Sequence, residues 1–341
     1  MLLASMRIGF LLTALVASIH VAAAPRFWTL ADVELDDASH ATGYFSYDDA
    51  TMMVSSWNIR VGYFPYVFVP PFTYVPGNSV IAVSQPFGAA APTFVFSAAI
   101  DAPDVGGWPG FDVRRLQIAP LTALDGSNAT VSLDTSLTKE AIPSLGPTRA
   151  RSLRAGSLTL TPVPSPAVVA RVDEFYNPTL RHYFITADDA EKQALDTGVH
   201  PGWQRTGESF KAYARGSSTG ASINPVCRYY SPASIETEQG SFAGFDSHFF
   251  SADAAECVTV FRRFANWIWE LEDDNAFQIA LPDRLSGACP GGTVPVYRLW
   301  NQRVDSNHRY TTSAATKADM LAAGYVAEGY GADGVAMCAV Q

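Results

Sequence analysis

Between residues 40 and 161, small or polar residues alternate with large apolar ones over short runs, the period of two that a half-buried strand requires. Thr42-Gly43-Tyr44-Phe45-Ser46-Tyr47 and Val54-Ser55-Ser56-Trp57-Asn58-Ile59-Arg60-Val61 show it, with Asp48-Asp49-Ala50-Thr51 as the turn between them. Thr93-Phe94-Val95-Phe96-Ser97, Thr130-Val131-Ser132-Leu133 and Gly156-Ser157-Leu158-Thr159-Leu160-Thr161 add further strands. Gly- and Pro-rich intervals separate them, and no helical period persists. An antiparallel β-sandwich of about seven or eight strands is expected for residues 25–161.

Beyond residue 168 the pattern changes to one that recurs. Val172-Asp173-Glu174-Phe175-Tyr176-Asn177 returns as Val226-Cys227-Arg228-Tyr229-Tyr230-Ser231 and as Val296-Tyr297-Arg298-Leu299-Trp300-Asn301. Each is followed by a histidine block, beginning at His182, His248 and His308, and then by an Ala-rich helical stretch. Leu195 and Gly198 lie 13 and 16 residues after His182, as Leu321 and Gly324 lie after His308. A glycine there supplies the left-handed residue that stops a helix. Thr186 with Asp189, and Ser251 with Asp253, supply start signals. Units of strand, strand, short helix and strand are expected at about 172–213, 226–279 and 296–340, with an insertion at Glu236 to Asp246 in the second. One unit of ~50 residues cannot bury its aromatic face, so three should pack about a pseudo-threefold axis, β-trefoil-like, with an open array as the alternative. The expected fold class is mainly β: an N-terminal sandwich plus this β-rich domain over 168–341, with short helices.

The ends and joints of the pattern carry their own signals. Met1 to Ala24, with Arg7, an apolar run from Ile8 to Ile19 and Val21-Ala22-Ala23-Ala24, reads as a secretory signal peptide. That run is shorter than the ~20 residues of a membrane span, and no later run approaches that length. Residues 162–167, within Thr161-Pro162-Val163-Pro164-Ser165-Pro166, read as a stiff polyproline linker. Cys227, Cys257, Cys289 and Cys338 all lie in the second half. An even count in an exported chain suggests two disulfides, with Cys227–Cys257 and Cys289–Cys338 favoured because each closes within or next to one unit. No C-x₂₋₄-C pair supports a zinc site.

Charge narrows the function classes. Of 341 residues only 16% are charged, and the formal net charge is −10. Nucleic acid and anionic membranes need a basic face, which this balance does not supply. The low charge and 48% hydrophobic content also exclude intrinsic disorder.

Two resemblances accompany these patterns. Phe27-Trp28-Thr29-Leu30-Ala31-Asp32-Val33, Thr42 to Asp48, Trp57-Asn58-Ile59 and Gly156 to Pro164 make most of 27–164 resemble the ectodomain of bacterial PEP-CTERM sorted proteins. That family ends in a Val-Pro-Glu-Pro signal, an apolar span and a basic tail, where this chain has Val163-Pro164-Ser165-Pro166 and then a second domain. Residues 168–341, His308 to Met337 above all, resemble a bacterial family of secreted Tyr- and His-rich triple repeats of unknown function. Its repeats often trail exported hydrolases, which implies an accessory surface-binding role.

Several residue sets could carry chemistry. Gly216-Ser217-Ser218-Thr219-Gly220 matches a nucleophile elbow but lacks the preceding strand, so a flexible linker is expected. Gly329-Tyr330-Gly331-Ala332-Asp333-Gly334 matches a dinucleotide fingerprint, yet the sequence leaves no room for the helix that must follow, so a turn is expected. His182, His248 and His308 are expected to be structural, each bonding a local carbonyl, with no metal and no cofactor implied. Glu270, Glu272, Asp273, Asp274 and Asn275 are oxygen-rich but read as a solvated loop rather than a calcium site. The candidate binding residues are Tyr176, Trp203, Tyr230, Trp267 and Trp300, whose ring faces suit sugar stacking, against the alternative that they are core. The expectation is a secreted or periplasmic non-enzymatic protein whose second half binds an extracellular glycan or cell-surface polymer. The alternatives are a polysaccharide or cell-wall hydrolase using carboxylates such as Glu208 and Glu328, or a purely structural extracellular protein.

Overall fold

The computed structural model describes residues 25–62, 71–101, 111–141, 150–162, 168–215, 223–237, 240–270 and 276–341. Residues 1–24, the Pro-rich 163–167, Gly216 to Gly220 and Glu272 to Asn275 lie outside these, and with them the signal-peptide, linker, nucleophile-elbow and calcium readings.

The chain is mainly β, with antiparallel sheets. Its first part runs through β1 (Arg26–Leu35), β2 (His40–Asp48), β3 (Met53–Val61), β4 (Phe72–Tyr74), β5 (Val80–Ser84), β6 (Thr93–Asp101), β7 (Phe111–Ile118), β8 (Thr130–Ser132), β9 (Lys139–Ala141) and β10 (Ala150–Thr161). They form one antiparallel path, β4-β3-β2-β1-β10-β9-β7-β6-β5, with β8 also on β10. Strand β10 makes this possible. Its start, Ala150 to Ser152, pairs with β9, while Leu153 to Thr161 pairs with β1. The sheet therefore folds over on itself, and alternate residues of both layers meet in one core of Trp28, Phe45, Ile59, Phe94, Phe96 and Leu158, all at 0% exposure.

A charged group sits at one end of that core. Glu140 on β9 accepts from Arg114 Nε at 2.6 Å and from the Tyr74 hydroxyl at 2.8 Å, and it also pairs with Arg151. Burial alone would raise its pKa, but the two guanidiniums and their hydrogen bonds hold it down at about 2.

The second part contains β11 (Val169–Asn177), β12 (His182–Thr186), α1 (Asp189–Asp196), β13 (Gln204–Tyr213), β14 (Ile223–Pro225), β15 (Cys227–Ser231), β16 (Ser234–Thr237), β17 (Gly240–Ala243), β18 (Ser247–Ser251), α2 (Ala254–Arg263), β19 (Ile268–Glu270), β20 (Gln278–Ala280), β21 (Thr293–Trp300), β22 (His308–Thr311), α3 (Ala314–Ala322), β23 (Val326–Glu328) and β24 (Val335–Val340). Three segments share one plan, an antiparallel hairpin, a helix and a strand returning beside the first: β11-β12-α1-β13, β15-β18-α2-β19 and β21-β22-α3-β23. The insertion in the second forms the hairpin β16–β17. Gly198 and Gly324 end the first and third helices at φ 76° and 90°. The caps are Asp188, Asp253 and Ser313. Thr186 is therefore not the first cap; its hydroxyl accepts from the Asp188 N–H and donates to Glu191, steadying the cap from behind.

Both disulfides, Cys227–Cys257 and Cys289–Cys338, are present. The first ties β15 to α2. That helix also reaches the first part of the chain, where Val258, 1% exposed, joins the core containing Phe94 and Phe96. Residues 329–334 form the turn between β23 and β24, closed by the bridge Tyr330–Val335.

Candidate functional site

Strand register decides which side chains the three segments bring together. Across the hairpins Asn177 faces His182, Ser231 faces Ser247, and Tyr230 and Trp300 face His248 and His308. Tyr176 faces Tyr183. Tyr183, not His182, therefore occupies the place of His248 and His308. A slip of one residue moves a side chain to the other face of a strand, so His182 differs from the other two histidines. Its Nδ1 lies 2.9 Å from the Asp246 carbonyl, in a different segment, and its Nε2 lies 3.3 Å from an Asp305 oxygen. His182 thus meets a carbonyl of another segment, while His248 and His308 meet the carboxylates of Glu270 and Glu328.

The first and second segments meet through a compact ion group. Arg228 of β15, 6% exposed, places Nη2 2.8 Å and Nη1 2.9 Å from the two Glu191 oxygens and Nε 2.8 Å from Glu270. His248 Nε2 lies 3.2 Å from the same Glu270 oxygen. Burial alone would raise the Glu270 pKa, but His248 and Arg228 hold the carboxyl below its usual range. The Phe184 ring packs 4.6 Å from the His248 ring and lies beneath the Arg228 guanidinium.

Above this floor a cavity of about 300 Å³ opens. Phe184, Trp203, Tyr230 and Leu195 give it apolar walls, and Glu191, Asp246, Glu270, Arg228, His200 and His248 give it polar ones. Trp203 comes from the loop before β13, and its ring packs edge-on against Phe184 at 5.9 Å. Tyr230 stacks on His248 at 4.7 Å, and its hydroxyl donates to Asp246 at 2.8 Å. Burial and the Asp246 carboxylate push the tyrosine pKa up to about 12, so the hydroxyl remains a donor. Two of the five aromatics singled out in the sequence thus share one pocket while remaining half-buried.

The other three stand elsewhere, also half-buried. Trp267 packs on Phe249 and Phe245, the Trp300 indole N–H donates to Ser306 at 3.0 Å, and Tyr176 packs on Tyr183 at 4.7 Å. Trp269 points away from them, against Tyr229 and Phe261. Glu208 accepts from Thr311 and Thr316, and Glu328 pairs with Arg298 and His308, so each carboxylate is engaged at a different junction. No cluster of His, Cys, Asp or Glu suited to a metal ion occurs among the described residues. Glu191, Asp246 and His200 carried no signal in the sequence, because only tertiary packing brings them to the cavity.

The fold and this pocket define a mainly β, disulfide-containing protein with a mixed aromatic and acidic cleft between two hairpins. The family described as a domain of unknown function (DUF5648) matches residues 161–272, which include both walls of the cleft. No curated protein and no solved structure matches the chain.

Proposed function

We propose that this is a secreted, non-enzymatic binding protein and that the cleft between the first two hairpins holds a segment of an extracellular carbohydrate polymer. The reading rests on one observation: Trp203 and Tyr230, from different segments, line one cavity together with Glu191, Asp246 and Glu270. Sugar rings offer apolar C–H faces to aromatic walls and hydroxyls to carboxylate acceptors, the mixture a small-molecule site needs. The three segments are read as copies of one unit, in line with the resemblance to secreted Tyr- and His-rich repeats. The sandwich is read as a spacer or attachment module, in line with the resemblance to PEP-CTERM ectodomains. Two disulfides suit an oxidising compartment. Among the described residues no helix is long and apolar enough to cross a membrane.

The carboxylates favour binding over hydrolysis. Glu270, bonded to His248 and Arg228, is held below its usual carboxyl range and is unsuited to donate a proton as a glycosidase acid must, while Glu191 commits both oxygens to Arg228. The test is a glycan array probed with the full chain and with Trp203→Ala. The wild type should bind a subset of spots, and the variant, with unchanged circular dichroism, should lose polar spots at least tenfold. Steady turnover of any arrayed polysaccharide would overturn the non-enzymatic reading.

A further inference from the structure

The ion group and aromatic floor beneath the first cleft have a near replica between the second and third segments. Arg298 of β21 places Nη2 2.7 Å and Nη1 2.8 Å from the two Glu256 oxygens and Nε 3.1 Å from Glu328, as Arg228 does with Glu191 and Glu270. His308 Nε2 lies 3.1 Å from that Glu328 oxygen, as His248 lies from Glu270. Phe249 packs on the His308 ring at 5.1 Å and under Arg298 at 4.9 Å, as Phe184 does with His248 and Arg228. Ser251 donates to Glu256 at 2.5 Å, matching Thr186 on Glu191. Trp267 packs on Phe249 at 6.1 Å, matching Trp203 on Phe184. Trp300 faces His308 across the hairpin, as Tyr230 faces His248.

The rims differ in a way that bears on the ligand. Three residues before Trp203 stands His200; three before Trp267 stands Phe264, which is 49% exposed. The partner of Tyr230 is Asp246, whereas the partner of Trp300 is Ser306. At the matching positions, counted back from each tryptophan and across from each hairpin ring, a phenylalanine thus stands for the imidazole and a hydroxyl for the carboxylate.

The third junction departs from both. Glu174 stands where the arginines do, Tyr183 where the histidines do, and Thr206 bonds Glu174 at 2.7 Å. Arg309 fills the phenylalanine position and makes two bonds to Glu174, at 2.9 and 3.0 Å.

We infer that the junction of Phe264, Trp267 and Trp300 is a second carbohydrate site, selective for neutral sugars with broad apolar faces, and that the Tyr183 junction is not a site. This rests on the carbohydrate reading of the first cleft. It makes the protein bivalent, so a polymer spanning both sites is held with a gain no single cleft supplies.

The test is the glycan array again, with the full chain as wild type, Trp203→Ala, Phe264→Ser, Trp300→Ala and Trp203→Ala/Phe264→Ser. Phe264 is exposed enough that its replacement spares the fold, whereas Trp300 could unsettle β21. Phe264→Ser and Trp300→Ala should weaken neutral spots roughly tenfold while polar spots persist. Trp203→Ala should do the converse, and the double variant should lose both sets. If Phe264→Ser leaves every spot unchanged while Trp203→Ala empties the array, the first cleft stands and the second site is wrong. If the wild type binds no spot, both fail together.

Discussion

The Arg309 guanidinium lies 4.4 Å from the centre of the Tyr183 ring, closing a circuit in which each hairpin lays a side chain on the next. Phe184 covers His248, Phe249 covers His308, and Arg309 covers Tyr183. At two junctions an arginine of the following segment lies over a phenylalanine. At the third, arginine and phenylalanine give way to a glutamate and an arginine, and an ion pair takes their place.

Glu174 is 2% exposed, and burial raises its pKa despite Arg309. Removing it leaves a guanidinium short of its partner at the closing junction. Glu174→Ala should therefore cost about 3 kcal/mol in urea denaturation. Glu174→Arg alone should be worse, since two cations would meet. Adding Arg309→Phe and Thr316→Glu rebuilds the arrangement of the other junctions and should recover at least ~1 kcal/mol. Simple additivity of the three changes would show that the junction is not a coupled unit.

Glu140 makes the sandwich acid-sensitive. Its folded pKa of about 2 lies below the ordinary 4.5, so the unfolded chain takes up the proton first as pH falls. The contribution is complete above the ordinary value and disappears as pH drops through that range toward the folded value. Its size is about 3 kcal/mol. Glu140→Gln should flatten this part of the stability-against-pH curve and lower neutral-pH stability by about 3 kcal/mol, because two buried guanidiniums lose the carboxylate they share. A curve of unchanged slope between pH 5 and 2, those bounds being approximate, would contradict the assignment.

Much of this was readable from the chain, and the failures have physical causes. Alternation gave β2, β3, β6, β8 and the second half of β10, because one face of each is buried. It did not give β4, β5 or β9, because β4 is buried at every position, β5 exposes Val80 and β9 buries the charged Glu140, so polarity does not report their faces. Cysteine spacing gave the pairing of both disulfides. Aligning the segments on histidine misplaced His182 by one position, because the connections between the hairpin strands differ in length and a residue name carries no register. Trp203 and Tyr230 were identified individually, but that they face each other depends on how the first hairpin packs on the second, a long-range fact.

The disulfide Cys227–Cys257 anchors α2, whose outward face carries Val258 into the sandwich core and whose Glu256 holds Arg298. Closing a loop of 30 residues contributes roughly 3–4 kcal/mol by loop entropy. Cys227→Ala/Cys257→Ala should therefore lower stability by about that much and raise amide exchange in β15 and α2 together. The Cys289–Cys338 pair joins β24 to the loop before β21, away from the first cleft. Its removal should leave Trp203-dependent glycan binding within roughly twofold of the wild type, a difference of well under ~1 kcal/mol.

Val258 tests whether the two halves fold as one cooperative body. It is 1% exposed and sits among residues contributed almost wholly by the sandwich, including Phe94 and Phe96 on β6. Val258→Ala deletes two methyl groups from a close-packed site and should cost roughly 1–3 kcal/mol. The location of the loss is more informative than its size. If α2 is a shared element, hydrogen exchange should accelerate in β6 of the sandwich as well as in α2, and the two should retain a single unfolding transition. Acceleration confined to α2, with β6 protected as in the wild type, would mean that the helix merely rests on the sandwich and that the halves unfold independently.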